Sequence, residues 1–399
     1  MGRQKLIILL TVFIDVVGIG LVLPTLPLYV ERFGASPIVA TTFFAAYSLF
    51  QFFSAPVLGA WSDKIGRRPV LILSLLGTAI GWFIFASADS LLLLFVGRII
   101  DGITGGNIST AQSYMVDISK TPKERSENLG LIGASFGVGF ILGPALGASL
   151  AGFGATVPFW IAGVVTLLNA FASMLFLPES HHNRQASAGK KLSINPFRPI
   201  WNGLTNQKIN LYLISWFLFS LAFTNLQAIF TLYANRQFQF DEVHAGYLLA
   251  LVGVIVALNQ GFFLRRFWLK HFKEPMLEIA AMIVIVIVFF AFSSSDFAVF
   301  IAALVVFSFA QSILRVVTNS QIVGAAPDHQ KGEVMGIVQG LTSLAAIIIP
   351  PLSGYVFEKN IAGPWYMASG IMLIAAIFTI VGRKRIEKAR MPVNAEPLS

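Results

Sequence analysis

Long apolar runs separated by short polar breaks dominate the chain, and the runs do not alternate. Met282 to Phe292 (MIVIVIVFFAF) is typical. A strand of a membrane barrel alternates over about 10 residues, whereas a spanning helix needs about 20 mostly apolar residues in a row. The pattern therefore predicts twelve spanning helices. Six lie near 6–30, 39–62, 70–87, 91–117, 128–152 and 157–177, and six near 209–233, 244–264, 276–293, 297–322, 333–357 and 362–382. The longest polar stretch, Glu179 to Lys208, separates the two sets and reads as a linker. The expected organisation is a six-helix bundle at 1–178, a linker at 179–208, a second six-helix bundle at 209–385 and a tail at 386–399.

Composition agrees with a membrane solvent. Of 399 residues, 56% are hydrophobic and 12% charged, with a mean hydropathy of +0.76. A soluble domain carries roughly 25% charged residues. This makes an all-α polytopic membrane protein the expected class. There is no cysteine, which excludes disulfides and thiolate metal sites. The apolar stretch after Arg3 and Lys5 resembles a signal peptide, but no small-residue cleavage site follows and Asp15 interrupts it, so it reads as an uncleaved first helix.

The net charge of +9 is explained by sidedness rather than by a nucleic-acid partner. With the N-terminus inside, 23 of the 28 Lys and Arg residues fall on one side, three (Arg32, Arg236, Lys359) fall on the other, and Arg98 and Arg315 lie within spans. The positive-inside rule then places both termini, the linker and the tail in the cytoplasm, in the cell's inner membrane. The halves also echo each other. Arg98 in span four matches Arg315 in span ten, and Gly143-Pro144…Gly147 in span five matches Pro350-Pro351…Gly354 in span eleven. Paired six-helix repeats around a central site are a transporter arrangement.

Ionisable groups at membrane depth are costly and mark function. Here they are Asp15 in span one, Arg98 and Asp101 in span four, and Arg315 in span ten, while Asp117 and Glu278 lie near helix ends and can reach the interface. Arg98 and Asp101 share a helix face, and a carboxylate tolerating both protonation states beside an arginine is what proton coupling requires. A static pair bracing span four is the structural alternative. The second half offers amides: Asn225, Gln227, Asn259, Gln260, Gln311, Asn319 and Gln339. These suit substrate hydrogen bonding or plain interhelical adhesion. Tyr47, Gln51, Asn225, Gln227, Gln311, Arg315 and Gln339 are the candidates for a substrate cavity.

Three motifs carry a resemblance to a known family. The loop after span two, with Gly59, Asp63, Gly66, Arg67, Arg68 and Pro69, has the spacing G-x-x-x-D-x-x-G-R-R-P, which matches the motif between helices two and three of the major facilitator superfamily. Its physical role would be a cytoplasmic latch whose ion pairs form in one state and break in another. Span five, with Gly133, Gly137, Gly143, Pro144 and Gly147, resembles the antiporter signature of drug-efflux facilitators, with Ala148 where that pattern has a second glycine. Arg98-x-x-x-Gly102 resembles a further family motif in which the arginine is implicated in proton transfer. Asp15-Val-Val-Gly18-Ile-Gly20 and on to Pro24 and Pro27 looks like the first helix of tetracycline/proton antiporters. The likeness covers the first half and is weaker in the second, where it rests on Gln339 to Gly354.

The resemblance implies a major facilitator fold, with two pseudo-symmetric six-helix bundles around a central cavity, in a twelve-helix drug:H+ antiporter. It also implies proton coupling through Asp15, Asp101 and Arg98. Tetracycline exporters of this type carry an acid in helix three, a His in helix eight and an acid in helix nine; the aligned positions here are Gly81 and the neighbourhoods of Val256 and Val284. These departures weigh against tetracycline as cargo. Aromatic residues of spans two (Phe43, Phe44, Tyr47, Phe50, Phe52, Phe53) and seven (Trp216, Phe217, Phe219, Phe223) could stack on flat amphipathic cargo or face lipid.

Other signals fall away. Gly18-Ile19-Gly20 lacks the third glycine and the strand of a dinucleotide site. No Walker motif is present, so a proton gradient rather than ATP is the expected energy source, with no cofactor and no metal. His181-His182 reads as solvated linker. The expected protein is not an enzyme but a monomeric exporter of small amphipathic organic compounds, tetracycline-exporter-like, with protons and lipid as its partners. A dedicated exporter of a metabolite, siderophore or sugar, a proton-driven importer and a non-transporting sensor are the alternatives.

Overall fold

The computed structural model describes residues 3–180, 195–207, 209–327 and 331–390. His181, His182, most of the linker and the end of the tail lie outside the described residues. The described residues form helices joined by short turns: α1 Arg3–Glu31, α2 Pro37–Ile65, α3 Arg67–Ser87, α4 Leu91–Thr104, α5 Asn107–Asp117, α6 Pro122–Ala151 and α7 Val157–Phe176. After these come α8 Phe197–Thr205, α9 Asn210–Phe238, α10 Glu242–Leu258, α11 Glu274–Ala291, α12 Phe297–Ala325, α13 Lys331–Lys359 and α14 Gly363–Arg390. Twelve stretches are long and apolar enough to span a membrane.

Local chemistry sets the ends. Pro37 and Pro122 stand in the first turns of α2 and α6, where the missing N–H costs nothing. The Thr121 hydroxyl accepts the Glu124 N–H at 3.1 Å, and Asp296 caps α12 by accepting from Ala298 N at 2.7 Å. Between α2 and α3 a single residue, Gly66, turns the chain at a φ of 114°, a conformation open to glycine and strained for other residues.

Two spans depart from plain helices. The fourth breaks at Gly105-Gly106, leaving α4 and α5 as separate pieces. The freed carbonyls are satisfied from α2: Ser54 Oγ donates to Gly102 O at 2.9 Å and Gln51 Nε2 to Gly105 O at 3.2 Å. The eighth continues from α10 through π-helical turns over Asn259–Trp268 to His271. There the buried Asn259 donates to Ser312 Oγ at 2.5 Å and to Phe309 O at 3.3 Å and accepts from Trp268 Nε1 at 2.9 Å, which ties the π-helical turns to α12.

The chain divides into two compact units whose boundaries run through helices. The first holds Met1–Phe197, Thr224–Leu258 and Ser343–Pro364. Its core packs Leu21, Leu26 and Tyr29 of α1 against Phe43, Trp82, Phe85 and Phe159. Arg32 pairs with Glu242 at 2.5 Å and Arg236 with Glu31 at 2.9 Å, fastening the end of α1 to α10 and α9. The second unit holds Arg198–Phe223, Asn259–Thr342 and Trp365–Ser399. Phe289, Phe292, Phe307 and Trp365 cluster inside it. Glu278, expected to reach the interface, is instead wholly buried, because Arg383 folds onto its carboxylate and Thr318 Oγ1 donates to it at 3.0 Å.

Candidate functional site

Five helices of the first unit bring Asp15, Arg98 and Asp101 together, while Arg315 lies in the second unit. On α4, Arg98 and Asp101 lie one turn apart and pair at 3.2 Å, both 7% exposed. The Arg98 guanidinium lies 4.9 Å from the Tyr47 ring centroid and 5.9 Å from those of Trp82 and Phe85, so aromatic faces as well as a carboxylate hold its charge. Asp15 of α1, only partly buried, accepts from Asn107 Nδ2 at 3.0 Å. The same amide lies 3.4 Å from Thr78 Oγ1 on α3, the helix that meets Asp101 at Gly81. A polar row thus runs Asp15–Asn107–Thr78, with the Asp101–Arg98 pair beside it on α4.

The helix break makes this possible. Ending α4 at Thr104 and restarting at Asn107 turns the Asn107 amide toward α1. Gln51, a cavity candidate, stabilises the break through Gly105 O and donates to Tyr47 Oη at 2.9 Å. With both acids ionised and Arg98 charged, these groups carry one net negative charge. Net charge is costly at low dielectric, so a single proton changes the electrostatics of the whole cluster.

A second cluster surrounds the G-x-x-x-D-x-x-G-R-R-P loop. Arg67 pairs with Asp63 at 2.6 Å and with Asp117 at 3.0 Å, and its Nη1 donates to Ser62 Oγ at 2.6 Å. Arg68 Nη2 donates to Met174 O at 2.5 Å. Glu179, read in the sequence as the start of the linker, caps α3: Arg67 N donates to its Oε1 at 2.8 Å and Arg68 N to its Oε2 at 3.3 Å. Gly66 turns the backbone between the helices, while Gly59 lies within α2.

The glycines of span five divide by face. Carbon added at Gly143 would come within 2.7 Å of Gly20 Cα, and at Gly147 within 2.9 Å of Leu21 O. Gly139 completes this row against α1. Gly133 and Gly137 were expected in the same close approach, but a methyl there meets no atom within 4 Å. They point to another side of α6, because positions 139, 143 and 147 are the ones spaced by four. On a third face, Pro144 and Ala148 pack against Gly246 of α10.

The remaining candidates are dispersed. Asn225 is fully buried, donating to Pro364 O at 3.1 Å and accepting from Ser353 Oγ at 2.7 Å, which is helix adhesion. Gln227 is partly buried in the same unit. Gln311 in the second unit is 4% exposed, Arg315 is partly exposed and Gln339 is exposed. No group of three or more potential metal ligands occurs among the described residues. Sequence reading missed Thr78, Asn107, Ser54 and Glu179. The available signals were the Gly105-Gly106 doublet before Asn107 and the four-residue spacing of Ser74 and Thr78.

The family model of the Major Facilitator Superfamily matches residues 8–295 and 267–398. The chain belongs to this superfamily. It is 33% identical over 376 residues to tetracycline resistance protein, class C, of Escherichia coli, covering 91% of this chain and 92% of that one. To multidrug resistance protein 2 of Bacillus subtilis (strain 168) it is 26% identical over 390 residues, 95% of each. Among solved structures, the human organic anion transporter MFSD10 superposes with a TM-score of 0.71 at 26% identity, covering 94% of this chain and 99% of that one. The facilitator is therefore a multi-pass membrane transporter of small molecules, not an enzyme.

Proposed function

We propose that this facilitator exports small amphipathic organic compounds in exchange for protons, by alternating access. The observation that carries the reading is the polar row from Asp15 to Thr78 beside the buried Asp101–Arg98 pair, set in a chain whose relatives are tetracycline and multidrug resistance proteins. Asp15 and Asp101 take the proton. Protonating Asp101 removes the charge that Arg98 pairs with and leaves the guanidinium to the Tyr47, Trp82 and Phe85 rings. Loss of that pair lets α4 shift against α2 and α3.

Asp63, Arg67 and Arg68 act as the cytoplasmic latch. Energy comes from the proton gradient with no cofactor, in a monomer in the cytoplasmic membrane with both termini inside, as the Lys and Arg distribution favours. Gly81 and the neighbourhoods of Val256 and Val284 stand where tetracycline exporters carry ionisable groups, which weighs against tetracycline as cargo.

The test is pH-gradient-driven transport in everted vesicles carrying wild type or Asp15→Asn, with ethidium, a fluoroquinolone and tetracycline. Discharge of the gradient by any of them in the wild type and not in the variant is the expected result. If none discharges it, a dedicated metabolite exporter takes the place of this reading.

A further inference from the structure

At the Arg67–Asp117 end of the first unit the basic side chains divide into two kinds. Arg67 pairs with Asp63 and Asp117, and Lys5 pairs with Glu124 at 2.8 Å. The guanidinium groups of Arg3 and Arg68 form no ion pair among the described residues, and both turn to α7. Arg3 lies 4.0 Å from the centre of the Phe176 ring, and Arg68 Nη2 donates to Met174 O at 2.5 Å. Arg68 Nε is buried without a partner, so a single hydrogen bond serves a group with five N–H donors. The Glu179 carboxylate is taken up by the backbone N–H groups of Arg67, Arg68 and Ser180 and offsets one of the two charges.

Both arginines line one cleft. With Gln4 and the chain at 175–178 they border a space of about 470 Å³, within the range of about 300–1,000 Å³ found for small-molecule sites. Apolar surface leads away from it. On α1, Leu6 and Leu10 follow Arg3 at spacings of three and four; on α7, Leu168, Phe171 and Leu175 repeat those spacings, so each set shares a helix face. All five are exposed, Leu175 by 71%. The two helices run side by side, for Asn169 Nδ2 of α7 donates to Thr11 Oγ1 of α1 at 3.1 Å, two turns from where Arg3 meets Phe176. A continuous exposed apolar surface of this kind marks contact with membrane.

We propose that this cleft binds the headgroup phosphate of an anionic phospholipid from the cytoplasmic leaflet, held by Arg3 and Arg68, with the acyl chains on the exposed faces of α1 and α7. The planar fork of an arginine matches phosphate oxygens two at a time, and basic pockets beside spanning helices on the cytoplasmic side recognise such headgroups. Inorganic phosphate offers the same oxygens but makes no use of the apolar surface. The choice of leaflet rests on the membrane orientation proposed above; the binding depends neither on that orientation nor on proton exchange.

The test titrates the purified full chain in dodecylmaltoside micelles with dioleoylphosphatidylglycerol, dioleoylphosphatidylcholine or inorganic phosphate, and native mass spectrometry reads the bound fraction. Phosphatidylglycerol is expected to bind more tightly than phosphatidylcholine. Arg3→Gln should raise its Kd about fivefold, and Arg3→Gln/Arg68→Gln about twenty-fivefold. Lys120→Gln, which removes a cation from the turn before α6 and outside the cleft, should leave it within about twofold of wild type. Equal affinity for the two lipids in the wild type, or a loss in Lys120→Gln as large as in Arg3→Gln, overturns the site. Arg3-dependent binding of inorganic phosphate as tight as that of phosphatidylglycerol overturns the lipid as its source. If the double variant does not purify as a folded protein, Arg3→Gln decides alone, and wild-type affinity there overturns the site. Orientation is read separately, because the chain has no cysteine. Labelling of Lys120→Cys by a membrane-impermeant maleimide in right-side-out but not in everted vesicles overturns the cytoplasmic leaflet, while the titration still decides the site.

Discussion

Asn107 Nδ2 stands 3.0 Å from Asp15 Oδ1 and 3.4 Å from Thr78 Oγ1, so one amide joins α5 to both α1 and α3 at the depth of the buried charges. A hydrogen bond to a charged group contributes about 1.5–3 kcal/mol. Asn107→Leu removes it and leaves the carboxylate to find another donor. Gradient-driven ethidium efflux from everted vesicles is expected to fall about tenfold or more, with gel-filtration behaviour unchanged. Efflux at the wild-type rate would remove Asn107 from the row.

The two kinds of glycine in span five give opposite expectations for one substitution. At Gly143 an added methyl lies 2.7 Å from Gly20 Cα, backbone against backbone, with no flexible side chain to yield. At Gly137 it meets nothing within 4 Å. Overpacking costs about 1–3 kcal/mol, while alanine is a better helix former than glycine by about 1 kcal/mol. Gly143→Ala should lower the melting temperature in detergent micelles and Gly137→Ala should hold or raise it. Equal effects at the two positions would contradict the assignment of faces.

Helix positions were legible in the sequence because a spanning helix announces itself locally. The first span, expected at 6–30, runs Arg3–Glu31, and the ninth, expected at 276–293, runs Glu274–Ala291. Arg98 and Asp101 were legible for the same reason, being three residues apart on one helix. The break at Gly105-Gly106 was not, because its freed carbonyls are satisfied by Gln51 and Ser54, some fifty residues away on α2. Nor was the cap that Glu179 places on α3, since nothing near residue 179 indicates a helix start more than a hundred residues earlier. Aromatic side chains resisted for a different reason: adjacent Phe52 and Phe53 are 5% and 48% exposed, and ring chemistry alone does not tell one face from another.

In the second unit, Glu278 has no exposed side-chain surface and is held by Arg383 and Thr318, whereas the Arg383 side chain retains 13% exposure. Removing one partner of a buried pair costs about 3–5 kcal/mol. The cost should be unequal here. A stranded Arg383 can extend its long stem toward water, but a stranded Glu278 cannot. Arg383→Leu is therefore expected to destabilise more than Glu278→Leu, and the double variant less than Arg383→Leu alone. Thermal unfolding of the four proteins in micelles measures this, and strictly additive losses would argue against coupling.

Gly81 and Asp101 occupy one space. A methyl built on Gly81 lies 3.0 Å from Asp101 Cβ and 3.0 Å from Gly97 O, so α3 at this level has room for a carboxylate only if α4 gives one up. Gly81→Asp alone crowds two acids against a single arginine, Arg98. It is expected to fold poorly and to lose gradient-driven efflux. In Gly81→Asp/Asp101→Gly the acid moves to α3 within reach of the same arginine, and the space vacated by Asp101 admits the new side chain. Thermal stability and part of the efflux activity should return, because Arg98 again faces one carboxylate and the net charge of the site is unchanged. Asp101→Gly by itself strands Arg98 among Tyr47, Trp82 and Phe85 and is expected to be inactive. Ethidium efflux and melting temperature across these three variants and wild type decide the matter. A double variant no better than either single would show that Asp101 is needed at its own position rather than as a carboxylate in a shared space.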